Sequence, residues 1–242
     1  MAIKISNLNK SYKNLKVLDN LTLHIKEGSV FGLLGANGSG KTTLVSILNY
    51  LISKNSGKIE ICGYDFDRDG KKIKEISSYV PQTYAFYPTL TAYENLEFFG
   101  ALHSLKGEKL KERIDYSIKA TSLEKFRNKQ AQFFSGGVKR RLNIAIGLLN
   151  EPKILYLDEP TVGIDPQSRK YILDVIKNIN KTHKTTIIYT SHYMEEIQYL
   201  CDEIAILDDK KILLQQKISD INFADKNLEQ LFLSLTKENL RD

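Results

Sequence analysis

The sequence holds 242 residues, 42% hydrophobic and 26% charged, and its 35 basic against 29 acidic side chains leave a formal net charge of +6. That balance supports a buried core and excludes a wholly disordered chain. The length fits one large domain or two closely joined ones. No apolar run approaches the roughly 18 residues that span a bilayer, and Met1-Ala2-Ile3-Lys4 does not open a signal peptide. Cys62 and Cys201 stand far apart in no metal-ligand spacing, so a reducing, cytoplasmic setting is expected. The basic clusters, as at Lys71-Lys72 and Lys210-Lys211, are short and read as solvated surface. Nucleic acid is therefore not expected as a partner.

Along the chain, Ile3 and Ile5, then Leu21, Leu23 and Ile25, alternate at period two, as half-buried antiparallel strands do. Val30-Phe31-Gly32-Leu33-Leu34 is a continuous apolar run, which predicts a strand buried on both faces. Leu44, Ile47, Leu48 and Leu51 then recur at helical spacing. Strands follow at Lys58–Ile61 and Ser77–Val80. From about 88 to 150 helical patterns dominate. Thr91-Ala92-Tyr93-Glu94 reads as a capping box, and a second helix covers about Glu108–Ala120. Alternation resumes with a strand at Ile154–Leu157, a helix at about Gln167–Asn180 and a strand at Thr186–Thr190. A helix at about Met194–Cys201 precedes paired strands at Ile204–Leu207 and Lys211–Gln215. Leu228, Leu231, Phe232 and Leu235 mark an amphipathic closing helix. Strands alternating with helices predict a mainly parallel sheet.

Gly35-Ala36-Asn37-Gly38-Ser39-Gly40-Lys41-Thr42 fits G-x-x-x-x-G-K-[ST], after a buried strand and before an amphipathic helix, the context that the motif requires. Its glycines let successive N–H groups turn inward as a nest for phosphate oxygens. The following helix adds its positive end. Lys41 supplies a cation for the β- and γ-phosphates, and the Thr42 hydroxyl can ligate Mg²⁺. Such a site also needs carboxylates, and Ile154-Leu155-Tyr156-Leu157-Asp158-Glu159-Pro160 places two at the end of an apolar strand. Asp158 would hold Mg²⁺ and Glu159 would polarise the attacking water. Neighbouring strand residues point to opposite faces, so both serve only if the strand ends there; Pro160 is a plausible terminator. Together these features predict an NTPase.

Three further pieces narrow the class. Phe134-Ser135-Gly136-Gly137-Val138-Lys139-Arg140-Arg141 lies upstream of the carboxylate strand, Gln82 follows Tyr79-Val80-Pro81, and His192 follows Thr186–Ser191. In this order the chain resembles the nucleotide-binding subunit of ATP-binding cassette (ABC) transporters over essentially its whole length. The resemblance implies roles residue by residue. Tyr12 matches the aromatic that stacks on adenine, and the phosphate contacts run from Gly35 through Thr43. Gln82 matches the glutamine that senses Mg²⁺ and the attacking water. Ser135, Gly136 and Gly137 match the signature segment that closes over the γ-phosphate bound by the opposite subunit. Val162-Gly163-Ile164-Asp165 matches the loop at the dimer interface, and His192 the switch histidine. Two residues depart from the family pattern: Phe134 replaces Leu and Val138 replaces Gln. The residues themselves leave other readings open. Ser135 also reads as the cap of a helix through Val138, Leu142, Ala145 and Leu149. Ser191 reads as a cap of the next helix, with Glu195 and Glu196 in its first turn.

The resemblance further implies an α/β fold: a P-loop NTPase core with an N-terminal antiparallel β-subdomain and an inserted helical subdomain. The expected division is a core of 1–87 and 151–218, a helical part at 88–150 and a helical tail at 219–242. ATP and Mg²⁺ are the implied ligands. A second cassette, the same chain or a paralogue, pairs head to tail, and a separate transmembrane permease holds the chain at the inner face of the membrane. Tyr84, Phe86, Tyr87, Tyr93, Phe98 and Phe99 crowd the stretch where the family places its groove for that permease, so a few of them are expected at the contact. Glu159 through Arg169 resembles the type-2 exporter branch, which handles drugs, peptides and polysaccharides. So does the ending from Leu228 to Thr236 with Leu240-Arg241-Asp242. The alternative is a soluble ABC ATPase acting on ribosomes or nucleic acid.

Overall fold

A computed structural model describes residues 1–221 and 228–236. In chain order the elements begin with β1 (Ile3–Tyr12), β2 (Leu15–Ile25), β3 (Val30–Leu34), α1 (Lys41–Leu48), β4 (Ser56–Ile61), β5 (Tyr64–Asp65), α2 (Gly70–Ile76) and β6 (Ser77–Val80). Then come α3 (Ala92–Leu102), α4 (Gly107–Ala120), α5 (Gly136–Gly147), β7 (Ile154–Asp158), α6 (Pro166–His183) and β8 (Thr186–Ser191). The chain continues with α7 (Met194–Leu200), β9 (Glu203–Asp208), β10 (Lys211–Lys217) and α8 (Leu228–Thr236). They gather into two compact units, Met1–Lys74 with the chain from Thr186 onward, and Glu75–Thr185.

In the first unit the period-two strands form an antiparallel sheet of order β2-β1-β4-β5. Its register sets Ile3 opposite both Ile25 and Ile61, and Ile5 opposite Leu23 and Ile59. All are buried, so cross-strand apolar pairs fix the pairing: a one-residue slip would turn them to solvent. The continuous run predicted for β3 is buried at every position. β3 lies between β8 and β9, parallel to both, and β10 closes the edge antiparallel to β9. α8 falls where the closing helix was expected, while Leu240-Arg241-Asp242 lies outside the described residues.

In the second unit β6 and β7 pair in parallel, from Ser77 with Ile154 to Val80 with Leu157. The helices α3, α4 and α5 pack around Leu96, Ile114, Ile118, Phe134, Val138, Leu142 and Leu149. α3 starts at the predicted capping box: the Thr91 hydroxyl accepts from the Glu94 amide, and the Glu94 carboxylate accepts from the Thr91 amide at 2.7 Å. α6 opens with Pro166 after the Asp165 cap and buries Ile172, Ile176 and Ile179. It continues past the predicted end at Asn180 until Lys184 turns left-handed at φ 54°. The aromatic stretch divides. Phe86, Tyr93 and Phe99 pack on the helical core, whereas Tyr84, Tyr87 and Phe98 are exposed. Phe98 meets the Tyr87 ring edge-on at 5.0 Å.

β5 and α2 were not anticipated. Two residues are too few to show alternation, and α2 buries only Ile73, so neither leaves a periodic signal. Among the described residues no helix is long and apolar enough to cross a membrane.

Candidate functional site

β3 delivers the chain into the glycine loop. Gly40 caps α1 at φ 109°, a backbone conformation that a side chain would strain. The first turn of α1 therefore presents its N–H groups and positive dipole end at the loop. Lys41 is buried, and its Nζ donates to the carbonyls of Gly35 at 2.8 Å and Ala36 at 3.1 Å. The Ser39 hydroxyl is buried with no hydrogen-bond partner. A fixed cation, a helix N-terminus and an orphaned donor in one loop fit an anionic oxygen cluster. Tyr12, at the end of β1, is exposed, and Lys10 Nζ lies over its ring, 4.9 Å from the centroid.

His192 follows β8, its ring 4.2 Å from that of Tyr193. The reading of Ser191 as a helix cap is corrected here. α7 begins at Met194 with Tyr193 in the cap position. The Ser191 hydroxyl instead accepts from the Tyr193 amide at 2.9 Å and donates to Glu196 Oε2 at 2.9 Å. The Tyr189 hydroxyl donates to the same oxygen at 2.7 Å. Glu196 is 2% exposed, so it is a buried acceptor and not a surface charge at the helix end. Glu196→Ala would leave two buried hydroxyls without that acceptor. The expected loss is about 3 kcal/mol, read as a lower denaturant midpoint. Glu195→Ala, at an exposed position, should change stability by less than about 0.5 kcal/mol.

The second unit carries the carboxylates. β7 ends at Asp158, which is buried. Glu159 turns left-handed at φ 45°, a conformation costing about 1–3 kcal/mol for a side chain of this kind. The strand thus stops where two adjacent carboxylates need it to stop. Tyr79, from β6, donates its hydroxyl to Asp158 Oδ2 at 3.3 Å. Burial, and then the nearby carboxylate, push the Tyr79 phenol well above its ordinary range, so it stays a donor. Gln82 Nε2 donates to Glu159 Oε2 at 3.5 Å.

Ser135 caps α5, its hydroxyl accepting from the Val138 amide at 3.4 Å. At Gly137 a Cβ would come within 2.8 Å of the Ser168 side chain, so the start of α6 leaves room only for glycine. The two departures from the signature pattern are core residues. Phe134 is buried edge-on against Phe126 at 5.6 Å, and Val138 joins the same cluster. Asp165 caps α6 by accepting from the Ser168 amide at 2.9 Å, which holds its carboxyl below the usual range.

The sequence pattern assigns no role to Asn143, places Tyr79 only as a neighbour of Gln82, and marks Glu196 only as a first-turn charge. A polar residue one turn from another within an apolar helix, as Asn143 after Arg140, was the available signal.

The family model described as ABC transporter matches residues 18–162. A linearmycin resistance ATP-binding protein, LnrL of Bacillus subtilis, is 42% identical over 211 residues, covering 87% of this chain and 68% of LnrL. The structure of CbiO1 from Clostridium perfringens, part of an ABC transporter complex, superposes with a TM-score of 0.86 at 29% identity. That match covers 99% of this chain and 95% of CbiO1. A dimeric ATP-binding cassette, MJ0796 bound to ADP and phosphate, superposes at 0.78 with 28% identity, covering 89% of this chain and 98% of that one. With its phosphate loop, carboxylate strand and capped Ser-Gly-Gly helix in order, the chain belongs to the ABC transporter family as an ATP-binding cassette that hydrolyses ATP.

Proposed function

We propose that this cassette binds Mg·ATP, pairs head to tail with a second cassette, and uses hydrolysis to drive a separate permease that exports drugs, peptides or related compounds. The observation that carries the reading is the contact of Gln82 with Glu159, placed on a left-handed turn directly after Asp158. In the proposed roles, Tyr12 stacks on adenine and the loop from Gly35 to Thr43 wraps the phosphates. Lys41 neutralises the β- and γ-phosphates. Thr42, Asp158 and Gln82 are proposed as Mg²⁺ residues, as the family pattern implies. Among the described residues no cluster of three or more His, Cys, Asp or Glu could hold a metal. Mg²⁺ is commonly held by one or two carboxylates plus substrate phosphate, and the Asp158 carboxylate at the end of β7 is of that kind. Bound there, Mg²⁺ would supply charge neutralisation to phosphoryl transfer. Glu159 takes the proton of the attacking water, and Gln82 holds the Glu159 carboxylate in position. His192 contacts the γ-phosphate. Ser135, Gly136 and Gly137 reach the nucleotide of the paired cassette, which ties hydrolysis to pairing.

The helical part at 88–150, together with the segment just before it, is proposed to meet the permease through exposed Tyr84, Tyr87 and Phe98. The chain would thus sit at the cytoplasmic face of the membrane. Export of an antimicrobial compound is supported by the linearmycin resistance protein to which the chain is similar. The test is a susceptibility panel of membrane-active antimicrobials on cells lacking the chain, complemented by wild type or by Glu159→Gln. Sensitisation reversed only by wild type is expected. Unchanged susceptibility together with failed uptake of a nutrient would overturn the export direction.

A further inference from the structure

α5 is buried on two faces. Val138, Leu142, Ala145 and Leu149 lie in the helical core. A second set, Arg140, Asn143 and Gly147, is also buried. Gly147 brings the helix close to β6: a Cβ there would lie 2.6 Å from Val80 Cγ2. One and two turns earlier, Asn143 and Arg140 meet the segment that follows β6.

Asn143 is 3% exposed, and its amide is spent on that segment. Nδ2 donates to the Pro81 carbonyl at 3.2 Å and to the Thr83 carbonyl at 3.1 Å. Oδ1 accepts from the Ala85 amide at 2.9 Å. Arg140, 2% exposed, donates a second bond to the Pro81 carbonyl at 3.1 Å and lies over the Tyr84 ring at 5.1 Å. The Tyr84 hydroxyl donates to the Gly136 carbonyl at 3.4 Å. Pro81 and Thr83 flank Gln82, so one amide grips the backbone on both sides of the residue that contacts Glu159.

We infer that Asn143 is a positioning residue for hydrolysis, clamping the 81–85 segment to the helix that begins at Ser135 so that Gln82 is held against Glu159. The inference rests on the role proposed for Gln82. Backbone carbonyls in an irregular segment have no ladder to fix them, and buried ones need donors. Asn143 supplies two donors and one acceptor from a single rigid element, the condition for holding a functional group to sub-ångström tolerance.

The test uses the full chain assembled with its membrane subunit. Asn143→Leu keeps the side-chain size and removes all three bonds. Its kcat should fall about tenfold or more with KM for ATP unchanged, and the Ala85 amide should exchange faster with deuterium. Gln82→Ala should itself lower kcat, and the double variant should be no slower than Gln82→Ala alone. Asn143→Asp keeps the acceptor for Ala85 but faces two carbonyls with a negative charge. It should lower kcat in the same way, and it decides the matter if Asn143→Leu does not fold. Wild-type turnover in an Asn143 variant whose Ala85 amide exchanges faster would overturn the clamp, as would losses that multiply in the double variant. Unchanged turnover in Gln82→Ala alone would instead remove the Gln82 role on which the clamp depends, whatever the Asn143 variants do.

Discussion

Glu159→Gln binds ATP as wild type does, yet its steady-state turnover falls by about 100-fold or more, the usual scale for losing a general base. The substitution keeps size, backbone and the capacity to meet Gln82, whose Nε2 lies 3.5 Å from Glu159 Oε2. It removes the charge proposed to draw a proton from water. In the proposed cycle pairing requires bound nucleotide and separation follows hydrolysis, so the variant is expected to accumulate as an ATP-bound dimer. Light scattering with and without ATP, beside a phosphate-release assay, measures both effects. Near-normal turnover would sink the assignment. The left-handed turn at Glu159, φ 45°, ends the strand directly after Asp158, so the substitution is made at a position where the backbone already leaves the sheet.

Lys41→Ala loses ATP affinity by about ten- to a hundredfold, since a charge-assisted hydrogen bond contributes about 1.5–3 kcal/mol. Lys41 is buried and already fixed by the Gly35 and Ala36 carbonyls, so little side-chain entropy opposes its contact with phosphate. Titration with a fluorescent ATP analogue reads the change, and a melting curve separates it from loss of the loop's own internal bonds. Unchanged affinity would show that the loop N–H groups bind the phosphates without this cation.

Most strands and helices were legible either from periodic burial, as in β1 and α6, or from continuous apolar runs, as in β3 and β7. β3 read as a buried strand because all five of its residues are apolar or glycine, and α3 was marked by the Thr91–Glu94 pair that does cap it. What was hidden depends on tertiary partners. Glu196 looked like a helix-end charge, and only the fold places the Tyr189 and Ser191 hydroxyls on it. Asn143 carries no mark in the sequence, and only the fold lays the segment after β6 along its face of α5. Phe134 and Val138, which depart from the family signature, are core residues, a placement that pattern comparison does not supply. The six aromatics after Gln82 could not be divided by sequence, because inward and outward rings alternate without a period.

ATP hydrolysis here is proposed to serve a separate membrane subunit. The most direct measurement is to isolate the chain from its native membranes in a gentle detergent and identify what remains bound. The account predicts a polytopic membrane protein in fixed proportion to two cassettes, with ATP turnover that Glu159→Gln abolishes. Recovery with ribosomes or nucleic acid and no membrane protein would contradict it.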